Sequence, residues 1–266
     1  MNAEDTFRKM ASERPLIHHL TNYVTVNLVA NTTLCAGALP VMAHAADEVE
    51  EMVAHASALA INMGTLDPPW IEAMLKAGKE ANRLGVPIVL DPVGAGATPF
   101  RTNMARRLLS EVEFLAICGN AGEIATIAGL EAEVRGVESI GGDARTAVME
   151  AAKSIGATVA ATGPTDFVSD GERVVAVENG HPLMGGIVGS GCASTAAIAC
   201  FAAAGDASLE TVSEALAFFG CAGEDAAPHS DGPGTFEPRL LDAVATLAAE
   251  PGLLEGRLRI SEVEIG

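Results

Sequence analysis

Short aliphatic runs, each bounded by polar or turn-forming residues, alternate with longer stretches of helical periodicity along most of this chain. Leu16-Ile17-His18-His19-Leu20 predicts a first strand, followed by an amphipathic stretch from Asn22 to Ala36. Leu39 to Ala43 predicts a second strand, with a helix through Asp47 to Met52, and Ala58 to Asn62 a third. Pro68-Pro69 opens a helix that runs to Leu84, with prolines in the first turn, where a missing N–H costs nothing. Val86 to Asp91, Phe114 to Cys118 and Ala157 to Thr162 read as buried strands. Thr165 to Ser169 and Glu172 to Val177 read as a hairpin through Asp170-Gly171. From Gly189 the pattern is almost wholly helical up to a short terminal segment, Arg257 to Glu264. Strands alternating with helices imply βαβ units, hence an α/β fold with a mostly parallel sheet covered by helices on both faces. Ligands of such sheets gather beyond the carboxyl ends of the strands. With no internal repeat, low-complexity stretch or linker, residues 1–266 are expected to form one domain.

Composition narrows the partners. Hydrophobic residues make up 49% of the chain but aromatics only 4%, so Ala, Val, Leu and Ile must do most of the packing. The net charge is −19, and the only lysines are Lys9, Lys76, Lys79 and Lys153. Nucleic acid and anionic membranes need clustered cations and are poor partners for such a chain. Five widely spaced cysteines, with no C-x-x-C pair and no zinc spacing, argue for a reducing compartment. Met1 to Arg14 lacks the apolar core of a signal peptide, and no apolar run reaches membrane-spanning length. A soluble cytoplasmic protein is expected.

The strongest chemical signal is Gly189-Ser190-Gly191-Cys192, which opens the small-residue run Ala193-Ser194-Thr195-Ala196-Ala197. The first turn of a helix carries N–H groups without intrahelical partners, and glycine lets a phosphate approach them. A cysteine there is expected to have its pKa lowered by the same field, fitting it as nucleophile or base. Two strand ends add carboxylates: Asp91-Pro92-Val93-Gly94-Ala95-Gly96 and Cys118-Gly119-Asn120-Ala121-Gly122-Glu123. Asn120 and Glu123 have capping-box spacing, and capping alone would account for them, as a turn would for Asp91. Beside an anion-binding helix start, Asp91 and Glu123 would instead supply oxygen ligands for Mg²⁺ in phosphoryl transfer. His18-His19 lacks a third ligand at metal spacing and reads as buried or capping. Trp70 reads as packing, and Cys35, Cys200 and Cys221 as small core residues.

With these blocks in place the chain resembles the hydroxyethylthiazole kinase family of the ribokinase-like superfamily. The resemblance runs in order through Pro15 to Thr25, Pro40 to Ala45, Asp91 to Thr98, Gly119 to Glu123, Val168 to Gly171, Asn179 to Met184 and Gly189 to Cys192. It implies a ribokinase-like three-layer sandwich and ATP-dependent phosphorylation of the alcohol of 4-methyl-5-(2-hydroxyethyl)thiazole, a step of thiamine biosynthesis. It further implies that Gly189, Ser190, Gly191 and Cys192 form the anion hole, and that Asp91 and Glu123 organise Mg²⁺. Met42, Asn22, Val24 and Gly189 would contact the thiazole, and Thr162, Asn120 and Cys118 would lie at the ATP site. Family members are homotrimers with the substrate between subunits, and the same is expected here. Most ribokinase-like kinases carry an aspartate base where Cys192 stands. Ser190 replaces a usual threonine and keeps the hydroxyl. Cys118 replaces a usual phosphate-binding arginine, which removes a fixed cation; Arg101 is a substitute on sequence nearness alone. Competing readings are an ATP-dependent dehydratase of the same fold, a thiazole-binding protein impaired in catalysis, and a thiol hydrolase built on Cys192.

Overall fold

The computed structural model describes residues 3–130 and 144–264. In chain order the elements are α1 (Ala3–Glu13), β1 (Leu16–Leu20), α2 (Val26–Cys35), β2 (Leu39–Val41), α3 (Val49–His55), β3 (Ala58–Asn62), α4 (Pro68–Leu84), β4 (Ile88–Asp91), α5 (Pro99–Glu111), β5 (Ala116–Asn120), α6 (Ala121–Ile127) and α7 (Ala144–Ile155). They continue with β6 (Thr158–Thr162), β7 (Asp166–Ser169), β8 (Val174–Val177), α8 (Ser190–Ala204), α9 (Leu209–Ala226), α10 (Pro233–Ala249) and β9 (Ile260–Glu262). The strands form one sheet in the order β2-β1-β3-β4-β5-β6-β7-β8-β9. Pairing is parallel from β2 through β6 and antiparallel from β6 through β9. The mostly parallel sheet and the β7–β8 hairpin match the sequence pattern.

Each face of the sheet buries its own core, which makes three layers. One core takes Ala58 and Ala60 of β3 and Val89 of β4 together with α1, α8, α9 and α10. The other takes Leu59 and Ile61 of β3 and Leu90 of β4 together with α3, α4, α5 and α7. The period of two along each strand makes this division, and it also decides which polar residue at a strand end faces α8. The sequence pattern misses α1, α5 and α7. In α1, Ala3, Phe7 and Met10 recur at helical spacing, and Phe7 stacks on Phe201 of α8 and Phe218 of α9 at centroid distances of 5.2 and 4.7 Å. Thr98 caps α5 and Pro99 starts it, signals as clear as those that mark α4. The second strand stops at Val41 rather than Ala43, and the terminal segment contributes only Ile260–Glu262 to the sheet.

Candidate active site

Asn62 and Asp91 are register partners at the carboxyl ends of β3 and β4, on the sheet face that α8 covers. Both are buried, at 6% and 4% exposure. Asn62 Nδ2 donates to Asp91 Oδ2 at 2.6 Å and lies 3.2 Å from Cys192 Sγ. Asn22, just beyond β1, reaches the same group, its Nδ2 donating to Asn62 Oδ1 at 2.8 Å and lying 3.6 Å from Cys192 Sγ. Gly189 precedes α8 at φ 95°, and a Cβ there would stand 2.5 Å from Thr25 Cγ2. Glycine is required at that position on both counts. The start of α8 is thereby locked against the loop that carries Asn22, Tyr23 and Val24.

The capping box is present: Glu123 N donates to Asn120 Oδ1 at 3.0 Å, and Asn120 N donates to Glu123 Oε2 at 2.8 Å. Capping does not exhaust Glu123, because its other oxygen accepts the Gly94 N–H at 2.7 Å and ties α6 to the turn after Asp91. Burial, then the nearby Glu123 charge, push the Asp91 carboxyl up to about 8; burial also raises Glu123. Arg101 is close, but its guanidinium is spent on backbone carbonyls, with Nη1 donating to Met63 and Val93 and Nη2 to Gly64. Two buried carboxylates close enough for one charge to raise the other's pKa suit a hard divalent cation. Among the described residues no cluster of three or more His, Cys, Asp or Glu side chains is arranged to hold a metal. A cation at Asp91 and Glu123 would therefore draw its remaining oxygens from water and phosphate, as Mg²⁺ commonly does.

Two expectations are corrected. The helix start does not make Cys192 acidic: burial, and after it the Asp91 charge, push the thiol up to about 11. Nor does Cys118, expected at the ATP site, lie at a surface. It is 1% exposed and sits in the core beneath α8, because the strand's alternation turns it inward between Ile117 and Gly119. Thr162 lines a cavity of about 510 Å³ together with Asp166, Ser190 and Gly191 and the apolar Met184, Leu216 and Phe219. Asp166 accepts the Gly163 N–H at 2.9 Å, and burial pushes its carboxyl up to about 6. Asn120 is exposed at the head of α6.

Met42 is half-buried just after β2, and Val24 is 69% exposed with its N–H bonded to Asn22 Oδ1 at 3.0 Å. His44 accepts the Thr21 N–H through Nε2 and stacks on Trp70 at 4.2 Å; Trp70 meets Tyr23 edge-on at 4.9 Å. His18 and His19 are buried, bonded through Nε2 to the Ala43 carbonyl and the Thr33 hydroxyl. The sequence reading assigned no role to Asn62 or Asp166. For Asn62 the signal was present, since two adjacent buried strands each end on a polar residue of the same parity.

The hydroxyethylthiazole kinase family model matches residues 7–250. The chain is 63% identical to a hydroxyethylthiazole kinase of Rubrobacter xylanophilus, over all of both chains. It superposes with TM-score 0.89 on a hydroxyethylthiazole kinase structure from Pyrococcus horikoshii OT3, at 42% identity and covering 98% of each chain. A ribokinase-like superfamily protein of Enterococcus faecalis V583, 12% identical, aligns over 94% of this chain and 90% of its own with TM-score 0.67, and shares the fold. With a glycine-led helix start beside buried carboxylates and a family match over nearly its full length, the chain belongs to the hydroxyethylthiazole kinase family.

Proposed function

We propose that this kinase transfers the γ-phosphoryl group of ATP to the hydroxyethyl alcohol of 4-methyl-5-(2-hydroxyethyl)thiazole. The observation that carries the reading is the start of α8, where Gly189 at positive φ sets Ser190, Gly191 and Cys192 beside the buried Asp91. The first-turn N–H groups of α8 donate to the phosphoryl oxygens as negative charge gathers on them. Nucleotide occupies the cavity at Thr162, with its base against Met184, Leu216 and Phe219. Asp91 and Glu123 would hold Mg²⁺, which would supply neutralisation of phosphate charge when bound. Asn22, Val24, Met42 and Gly189 line the thiazole side. Cys192 is a neutral thiol at pH 7, so it orients the alcohol instead of standing as a preformed thiolate base. Phosphoryl transfer through a loose transition state depends chiefly on positioning and charge, so a weak base suffices.

The reading takes residues 1–266 as one domain of a cytoplasmic homotrimer. Tyr23, Val24 and Val188 are 65, 69 and 73% exposed, and the Gly189–Thr25 contact holds their two loops together. Exposed apolar side chains grouped at the mouth of a site suit a second subunit, which would close the thiazole pocket. No helix among the described residues is long and apolar enough to cross a membrane. The decisive experiment incubates purified protein with ATP, Mg²⁺ and the thiazole alcohol and follows ADP and thiazole phosphate. Stoichiometric formation of both is expected. Thiazole bound without turnover would establish the impaired binder instead.

A further inference from the structure

The side-chain amide of Asn62 touches a group of each kind at the sheet edge, and its neighbours fix which way it faces. Its Oδ1 accepts two donors, the Gly64 N–H at 2.9 Å and Asn22 Nδ2 at 2.8 Å. Its Nδ2 is therefore turned to Asp91 Oδ2 at 2.6 Å and to Cys192 Sγ at 3.2 Å. A flipped amide would set its NH₂ group against those two donors. Asn22 is pinned in the same manner, its Oδ1 accepting the N–H groups of Val24 and Thr25 at 3.0 and 2.9 Å. The result is a chain of donors that runs one way, from the β1–α2 loop through Asn62 to Asp91. At 6% exposure, Asn62 has little access to water that could replace a lost partner.

We propose that Asn62 is a positioning residue for the transfer step, its two N–H groups holding Asp91 Oδ2 and Cys192 Sγ in a single arrangement that its carbonyl couples to Asn22. The proposal rests on the kinase reading above. Because Sγ accepts from the amide, the thiol hydrogen is directed away from Asn62, toward the Asp91 carboxyl. The sulfur then presents a defined face to an alcohol, and the carboxylate a defined oxygen. Asn62 has a simpler possible role, which is to cap the turn at Gly64 with its carbonyl alone. The two roles use opposite ends of one amide, so a single isosteric change separates them.

Asn62→Asp keeps an acceptor for Gly64 and Asn22 and replaces the two fixed N–H donors with at most one proton shared with Asp91. If donation to Asp91 and Cys192 matters, kcat falls about 100-fold, the loss expected when reacting groups shift by about an ångström. The KM values for ATP and thiazole would stay within about threefold of the parent, a split that a displaced loop would not produce. Retention of kcat within about threefold overturns the proposal. So does a rise in thiazole KM that matches the loss in kcat, since that marks a disturbed turn. Thermal unfolding establishes that the variant is folded. If it is not, Asn62→Ala is read in its place: a loss of kcat with unchanged KM supports the proposal, and a retained kcat overturns it. A parent protein that turns over no thiazole alcohol defeats the kinase reading and this proposal with it. A parent that turns it over, beside an unimpaired Asn62→Asp, defeats this proposal alone.

Discussion

A thiol at a helix start ordinarily gains acidity from the free N–H groups of the first turn, and Cys192 shows how that gain is overridden. Burial strips the thiolate of water and Asp91 adds a like charge, and both act at closer range than the helix field. Asp166 shows the same competition, with a testable consequence. Burial raises its carboxyl to about 6, so between the unfolded value near 4 and this folded value the native state binds more protons than the unfolded chain. Stability therefore falls as pH rises through that window, and the full penalty persists above it. Asn at this position can still accept the Gly163 N–H and carries no charge. Asp166→Asn is expected to match the parent in thermal unfolding near pH 4 and to exceed it at pH 7, by on the order of 2 kcal/mol. A constant difference across pH would rule out this account.

Among the elements, much of the architecture was legible because burial on both faces turns parallel strands into uninterrupted aliphatic runs, as at Ile88-Val89-Leu90. Pro68-Pro69 marked the start of α4, whose observed span coincides with the expected one. What escaped was set by tertiary contact. The amphipathic α1 was hidden in a stretch read as polar, although its buried face is only Ala3, Thr6, Phe7 and Met10. The candidate site divides in the same way. Gly189 to Cys192, Asp91 and Glu123 stood out in the sequence because their residue types suit the proposed chemistry. Asn62 escaped because its importance lies in four hydrogen bonds to partners as far as 130 positions away. Cys118 was misplaced because a loss relative to a family pattern says nothing about where the smaller side chain points. The close approach of α8 to the β1–α2 loop gives the prediction at this scale. Gly189→Ala must hold an L-residue at φ 95° and drive a methyl into Thr25. A stability loss of about 1–3 kcal/mol by thermal unfolding is expected, with at least a tenfold fall in kcat from the misaligned helix start.

Across the whole molecule, two cores lie back to back on the sheet, and the candidate site lies at the carboxyl ends of its parallel strands, against the core on the α8 face. The net charge of −19 opposes association of copies, so an assembly must rely on apolar contact and should tighten as salt screens the repulsion. Val188→Asp, placed in the exposed patch, is expected to shift a trimer to monomers in sedimentation velocity and to raise the thiazole KM while leaving nucleotide affinity near the parent's. A persistent trimer would remove Val188 from the interface. Trp70, the chain's one tryptophan, lies between His44 and Tyr23, and Tyr23 adjoins Asn22 in the thiazole-side loop. The indole is therefore a built-in optical probe: its emission is expected to report global unfolding, ligand binding at the proposed thiazole side and protonation of the stacked imidazole. Burial lowers the His44 pKa, so quenching by its charged form should set in below the pH at which a free histidine titrates. Ligand affinity can then be read from unlabelled protein, with no turnover at all.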